Sequence, residues 1–135
     1  MAIKTDDSCL YTKSHEWVRI EGDTAVSGIT DHAQEQLSDI VYVELPEAGD
    51  SFAQGAPYGV VESVKAASDC FLPIGGEILE RNAALEDSPE LVNSAPYTEA
   101  WFVRFRVTDA SEAESLMSPA DYERFVQEEA ARGGH

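Results

Sequence analysis

The chain contains few positively charged residues. Its 135 residues include nine lysines and arginines against 26 aspartates and glutamates, which gives a formal net charge of −17. Nucleic-acid binding depends on basic side chains that displace counterions from phosphates, so we expect no nucleic-acid partner. An acidic protein is also repelled by anionic membrane surfaces. The charge is typical of a soluble, monomeric protein, or of one that is steered towards basic surfaces on partner proteins.

Long apolar runs and chemical motifs are also missing. No stretch of 18 apolar residues is present, so we expect no membrane span, and the first six residues lack the apolar core of a secretory signal. Cys9 and Cys70 fit no disulfide framework or metal motif, and His15 and His32 are too scattered for a metal site. No nucleophile–base pair is visible, so we predict no catalytic residue. A reducing compartment fits best, namely the bacterial cytoplasm, while a mitochondrial matrix protein that has lost a transit peptide stays open.

Length and composition predict one folded domain. Hydrophobic residues make up 43% of the chain, an ordinary share for a globular protein. We expect residues 1–10 to be disordered and residues 11–130 to form a single domain. Alternating apolar segments predict strands at 15–20, 24–29, 41–45, 58–64, 69–74, 78–81 and 101–107, and a turn at Glu21-Gly22-Asp23 joins the first two into a hairpin. The fold class is therefore mainly β with short helices, arranged as a small β-sandwich or flattened barrel.

Helices are predicted at four places by their capping residues. Thr30 caps a short helix over 31–37, and Ser88 with Pro89 begins another. Ser111 to Glu114 matches a capping box, and a C-terminal helix begins at Ser118. In the strand over 41–45, a period of two places Val41, Val43 and Leu45 on one face.

Lys65 is isolated in the sequence. The chain has three lysines, and the other two, Lys4 and Lys13, lie near its beginning. Lys65 is in a predicted tight turn between two strands, and a turn on a β-sandwich projects into solvent, where another protein can reach it. A solvated turn lysine is the plain interpretation. The isolation nevertheless suggests a lysine that is presented for modification.

The residues around Lys65 resemble the lipoyl-attachment hairpin of lipoyl domains. The hairpin comprises Glu62, Ser63, Val64, Lys65 and Ala66, followed by Ser68-Asp69 and by Pro73-Ile74-Gly75-Gly76-Glu77. Further blocks match one branch more closely, the H-protein family of the glycine cleavage system, which includes H-like lipoate-binding proteins. These blocks cover residues 11–18, 28–34, 39–46, 85–93 and 96–97, so the resemblance extends over nearly the whole chain.

The resemblance implies a lipoyl-domain-like barrel-sandwich hybrid that carries lipoic acid on Lys65 through an amide and has no catalysis of its own. The arm would shuttle the aminomethyl group of glycine between a pyridoxal-phosphate glycine decarboxylase, an aminomethyltransferase and dihydrolipoyl dehydrogenase. A lipoyl ligase or transferase would attach it. The family shelters the loaded amine in a cleft whose residues correspond here to Ser14, Glu16 and Asp69, although the plain interpretation of the two acids is ordinary surface charge.

Two other functions stay open from the sequence. An H-like protein of bacterial sulfur oxidation would use the same arm to carry sulfur to a heterodisulfide-reductase-like complex. A lipoyl reservoir or regulatory module would be lipoylated without turnover. Cys70, five residues after Lys65, departs from the family pattern. It is either a small buried hydrophobic residue or a thiol that exchanges with the lipoyl dithiolane.

Overall fold

The computed structural model describes residues 4–133, with side chains through residue 131. Within this range the chain forms two antiparallel sheets. One has six strands, in the order β1 (Leu10–Tyr11), β2 (Glu16–Glu21), β3 (Thr24–Ile29), β9 (Val103–Val107), β8 (Gly76–Arg81) and β5 (Ser51–Phe52). The other has three, in the order β4 (Ile40–Glu44), β6 (Pro57–Ser63) and β7 (Ala67–Phe71).

The helices are short except for the last. They are α1 (Asp31–Leu37), α2 (Ala84–Asp87), α3 (Leu91–Ser94) and α4 (Pro119–Gly133), with a 3-10 helix at Ala110–Ser115 before α4. The architecture is the predicted one: a mainly β, lipoyl-domain-like barrel-sandwich with a C-terminal helix. In residues 4–133 no helix combines the length and the apolar character that crossing a membrane requires.

Apolar side chains from both sheets meet in one core. Val18 and Phe105 of the larger sheet share a buried cluster with Val43, Val61 and Cys70 of the smaller one. Burial of such side chains is the main force that holds the two layers together.

A second buried cluster lies under α4. Tyr122 stacks on Tyr11 with ring centroids 4.7 Å apart, and Trp17 and Val126 complete the contact. The Trp17 indole N–H donates to the carbonyl of Pro96 at 2.9 Å, so its polar atom is satisfied inside the cluster. The C-terminal helix is therefore packed on β1 and β2 as part of the domain.

Several local predictions are confirmed. The hairpin of β2 and β3 turns at Gly22, whose φ of +69° suits glycine. Helix α1 covers the predicted residues, and the Thr30 hydroxyl accepts from the Ala33 N–H at 3.1 Å as its cap.

The prediction that Val41 shares one face of β4 with Val43 and Leu45 is wrong. Ile40, Val43 and Leu45 are buried, but Val41 and Tyr42 are both exposed. The pairing of β4 with β6 shifts register between Ile40 and Tyr42, which is the signature of a β-bulge. An extra residue on one strand breaks the period of two, so an alternating pattern cannot predict it.

Two predicted helix starts are also wrong. Asp109, not Ser111, caps the 3-10 helix, because the Asp109 carboxylate accepts from the Ser111 N–H at 3.0 Å. The helix expected from Ser88 begins at Leu91, with Glu90 as its preceding residue. In both places a short polar side chain that could cap a helix lies within two or three residues of the real helix start. The sequence alone does not show which residue is the cap.

The predicted division of the chain at residue 11 stays a prediction. Residues 1–3 of the expected disordered segment lie outside the described residues. The part that is described makes contacts: Cys9 is buried, Leu10 begins β1, and the Tyr97 hydroxyl donates to the Lys4 carbonyl at 2.7 Å.

Candidate functional site

Lys65 lies in the turn that joins β6 to β7, and its side chain is exposed. Ser63 organises this turn. Its N–H donates to the Ala66 carbonyl at 2.8 Å, and its hydroxyl oxygen accepts from the N–H groups of Lys65 and Ala66 at 3.1 and 3.0 Å. The Val64 N–H donates to the Asp39 carbonyl at 3.0 Å, which ties the turn to the chain before β4. The backbone under Lys65 is therefore held from two sides.

The amine of Lys65 touches the end of α1. Its Nζ donates to the carbonyl of Gln36 at 3.1 Å. The last turn of α1 has no basic residue of its own, and a cation near unpaired carbonyls at a helix C-terminus is favourable. Within the described part of the chain Lys65 forms no ion pair. A single exposed hydrogen bond leaves the amine reachable by an enzyme that would acylate it.

The other predicted attachment residues surround Lys65. Val64 and Ala66 are exposed on either side of it, and Ser63 lies half-buried beneath the turn. Glu62 is exposed at the end of β6, opposite Tyr42 on one side and Ala67 on the other. The turn thus offers small or exposed side chains around one lysine, which leaves space for an amide-linked arm.

Glu16 is buried between the two sheets. Its Oε1 accepts from the hydroxyls of Thr12 and Ser14 at 2.7 and 2.5 Å, and its Oε2 accepts from the Phe71 N–H at 3.1 Å. Burial raises the pKa of the Glu16 carboxyl, and these hydrogen bonds partly oppose the shift. Because β7 is an edge strand, Glu16 satisfies a backbone donor that has no strand partner and joins β2 to β7.

The structure brings together two of the three predicted cleft residues. Ser14 and Glu16 are hydrogen-bonded, and Glu16 reaches the strand that carries Asp69. Asp69 is exposed two residues before Phe71, and no hydrogen bond joins its carboxylate to Ser14 or Glu16. The cleft role of all three residues stays a prediction, and Glu16 is not the surface acid of the plain interpretation.

Sequence reasoning missed the groups that hold Glu16 and its turn. Thr12 was not singled out, although its hydroxyl lies four residues before Glu16, a spacing at which Thr and Ser side chains bind nearby groups. His15 has a φ of +73°, which is uncommon for this residue type. Its Nδ1 pairs with the Tyr122 hydroxyl at 2.9 Å, and that hydroxyl also pairs with the Thr30 hydroxyl at 2.8 Å.

Cys70 is buried on the core side of β7. Burial raises the pKa of its thiol far above the ordinary range, and the nearby charges of Glu16 and Asp69 add to the effect. A buried thiol that keeps its proton is a poor nucleophile, so the surroundings favour the small hydrophobic residue over the exchanging thiol. Among residues 4–133, no group of three or more His, Cys, Asp or Glu side chains is placed to hold a metal ion.

Known proteins resemble this chain over nearly its full length. The family described as "Glycine cleavage H-protein" matches residues 9–129. The glycine cleavage system H protein of Halothermothrix orenii is 52% identical over 122 residues, which cover 90% of this chain and 95% of that protein. The mitochondrial glycine cleavage system H protein 2 of Arabidopsis thaliana is 52% identical over 122 residues, covering 90% of this chain and 78% of that one.

The fold of the chain also matches a solved structure. The crystal structure of a glycine cleavage system H protein from Mycobacterium marinum superposes with a TM-score of 0.81 at 33% identity, covering 97% of this chain and all of that one. None of these relatives is named for sulfur oxidation, so they do not support that alternative. Sequence and fold agree that the chain belongs to the glycine cleavage H-protein family.

Proposed function

We propose that this protein is the lipoyl carrier of a glycine cleavage system and that Lys65 bears the lipoyl group. The observation that carries the proposal is the exposed Lys65 at the tip of a hydrogen-bonded turn, in a chain of the H-protein family. A carrier needs an amine that a ligase can reach and a support that does not yield when a partner docks. The turn on β6 and β7 offers both.

The residues near Lys65 fit a long, slender acyl group. Val64, Ala66 and Ala67 are exposed, and the Lys65 amine has one hydrogen bond to release. When bound, lipoic acid supplies a dithiolane that opens and closes by thiol–disulfide chemistry. The protein contributes the attachment point, its orientation and its shelter, without a catalytic residue of its own.

The acidic groups beside the turn would shelter the cationic cargo, an aminomethyl group. Asp69 is exposed on β7, and its carboxylate is available to pair with an ammonium group. Both oxygens of Glu16 are occupied by protein donors, so we assign Glu16 a supporting role. It fixes the Ser14 hydroxyl and holds the start of β2 against β7, which would form the wall of the cleft.

The proposed cycle passes the aminomethyl group of glycine among three enzymes. A pyridoxal-phosphate decarboxylase loads the arm, an aminomethyltransferase unloads it and dihydrolipoyl dehydrogenase reoxidises it. Tethering turns each of these encounters into a local reaction once the carrier docks. We propose that the protein works as a monomer in a reducing compartment, such as a bacterial cytoplasm, which its two free cysteines suit.

An exchange assay tests the pathway. Lipoylated protein is mixed with a glycine decarboxylase, glycine and labelled bicarbonate, and the label that enters glycine is counted. We expect exchange with the wild type and with Lys13→Arg as a matched control, and none with Lys65→Arg. A lipoylated wild type that supports no exchange would refute the glycine pathway.

A further inference from the structure

Three exposed apolar side chains cluster beside Lys65. They are Val41, Tyr42 and Val64, which are 51%, 48% and 69% exposed. We name them the hairpin patch. The Val64 N–H bonds to the carbonyl of Asp39, just before β4, and Tyr42 lies opposite Glu62 at the end of β6, so the patch adjoins the base of the turn. Among the described residues the remaining large hydrophobic side chain with comparable exposure is Ile20, at 39%, on β2 of the other sheet.

The bulge in β4 creates this patch. In a regular strand adjacent residues point to opposite faces, so Val41 or Tyr42 would be turned into the core. The register shift between Ile40 and Tyr42 leaves both outside. Bulges often re-aim side chains next to functional sites. A fold that exposes two adjacent apolar residues here, next to the turn that carries Lys65, points to a surface that another molecule covers.

The surroundings of the patch are acidic. Glu44 and Asp69 flank Val60 on the outer face of the smaller sheet, and Glu62 and Asp39 lie beside Tyr42 and the turn. In residues 4–131 none of these four carboxylates forms an ion pair. The five arginines whose side chains are described all pair with acids elsewhere, namely Arg19, Arg81, Arg104, Arg106 and Arg124. The paired cations therefore lie away from this face, and the positive charge of Lys65 is lost when its amine is acylated.

We propose that the hairpin patch is the docking surface for the glycine decarboxylase and that it fits an active-site entrance with an apolar lining and a basic rim. The inference rests on the proposed function. Of the two enzymes that handle the aminomethyl group, the decarboxylase receives the arm without an ammonium group that could pair with the nearby carboxylates. That encounter depends on the protein surfaces themselves: the apolar patch supplies contact, and the acidic rim supplies orientation and a fast approach. The dehydrogenase also receives an arm without that group, so a KM raised for the dehydrogenase and unchanged for the decarboxylase would overturn the choice.

Steady-state exchange with carrier as the varied substrate tests the proposal. All proteins are first fully lipoylated, and their folding is checked by thermal unfolding. We expect Tyr42→Ser to raise the KM for the carrier by about tenfold while kcat stays unchanged, because removing a buried contact weakens docking and leaves the chemistry intact. Ile20→Ser is the matched control, and we expect its KM to stay within about twofold of the wild type.

A replacement variant and a charge variant complete the test. If Tyr42→Ser unfolds, Val41→Ser, at the adjacent exposed position of β4, takes its place with the same expectation. The charged rim is tested by Asp39→Asn, which should raise KM at low salt and flatten its dependence on ionic strength. An unchanged KM in all hairpin-patch variants would overturn the docking surface. Exchange that fails with the wild type itself would instead refute the proposed pathway.

Discussion

Glu16 offers a sharp test of how the two sheets are joined. Glu16→Ala removes the acceptor for two hydroxyls and for the Phe71 N–H, all within 3.1 Å. Leaving a backbone donor unpaired costs about 1–3 kcal/mol, and the space left by the side chain adds to it, so we expect a loss of about 2–4 kcal/mol in the free energy of unfolding. Glu16→Gln can keep the arrangement, with its carbonyl towards Phe71 and its amide donating to the hydroxyl oxygens. We expect that variant to lie within about 1 kcal/mol of the wild type.

The difference in stability between the wild type and Glu16→Gln should also depend on pH. Burial raises the pKa of Glu16 above its ordinary value of 4.5. Below that value both the folded and the unfolded chain hold the proton, so burying the group carries no ionisation cost. As the pH rises from the ordinary pKa through the raised one, the unfolded chain ionises first and the folded state loses stability. The wild type should therefore lose stability relative to Glu16→Gln as the pH rises above 4.5, until the folded carboxyl has also ionised.

Urea unfolding at a series of pH values measures both effects. Taking the difference in unfolding free energy between two variants cancels the contributions of the ionisable groups that both variants share. Equal stability of Glu16→Ala and the wild type would refute the tie between β2 and β7. A difference between Glu16→Gln and the wild type that stays constant with pH would contradict the raised pKa.

The remaining predictions concern the C-terminal helix and the two thiols. Tyr122→Phe removes hydrogen bonds to His15 and Thr30 while keeping the ring stack, so we expect a loss of about 1–2 kcal/mol in urea unfolding; full stability would show that these bonds contribute nothing. Cys9 and Cys70 are buried, and burial raises the pKa of Cys9 to about 11. A colorimetric thiol reagent should therefore label neither cysteine in the native protein and both in denaturant, and rapid native labelling of Cys70 would restore the exchanging-thiol interpretation.

Features set by neighbouring residues were predictable from the sequence. The turn at Gly22 and the Thr30 cap of α1 depend on the backbone preferences of a few adjacent residues, and both lie where predicted. The segments that resemble the H-protein family made the whole fold predictable. Lys65 stood out because the chain contains so few lysines.

Features that depend on distant residues were not predictable. The bulge at Val41 is a mismatch between β4 and its partner β6, and neither strand reveals it alone. Glu16 was expected at a cleft surface, but it is buried because it bonds a backbone N–H that lies 55 residues away in the chain. Such placement emerges only when two sheets pack together, which an alternating pattern does not encode.

Intact-mass measurement of the protein after incubation with a lipoyl ligase, lipoic acid and ATP tests the central claim most directly. We predict a gain of about 188 Da, the mass of one amide-linked lipoyl group. Peptide mapping should place it on Lys65, with the gain kept in Lys4→Arg and Lys13→Arg and lost in Lys65→Arg. A wild type that gains no mass, or a Lys65→Arg variant that gains it equally, would contradict the account.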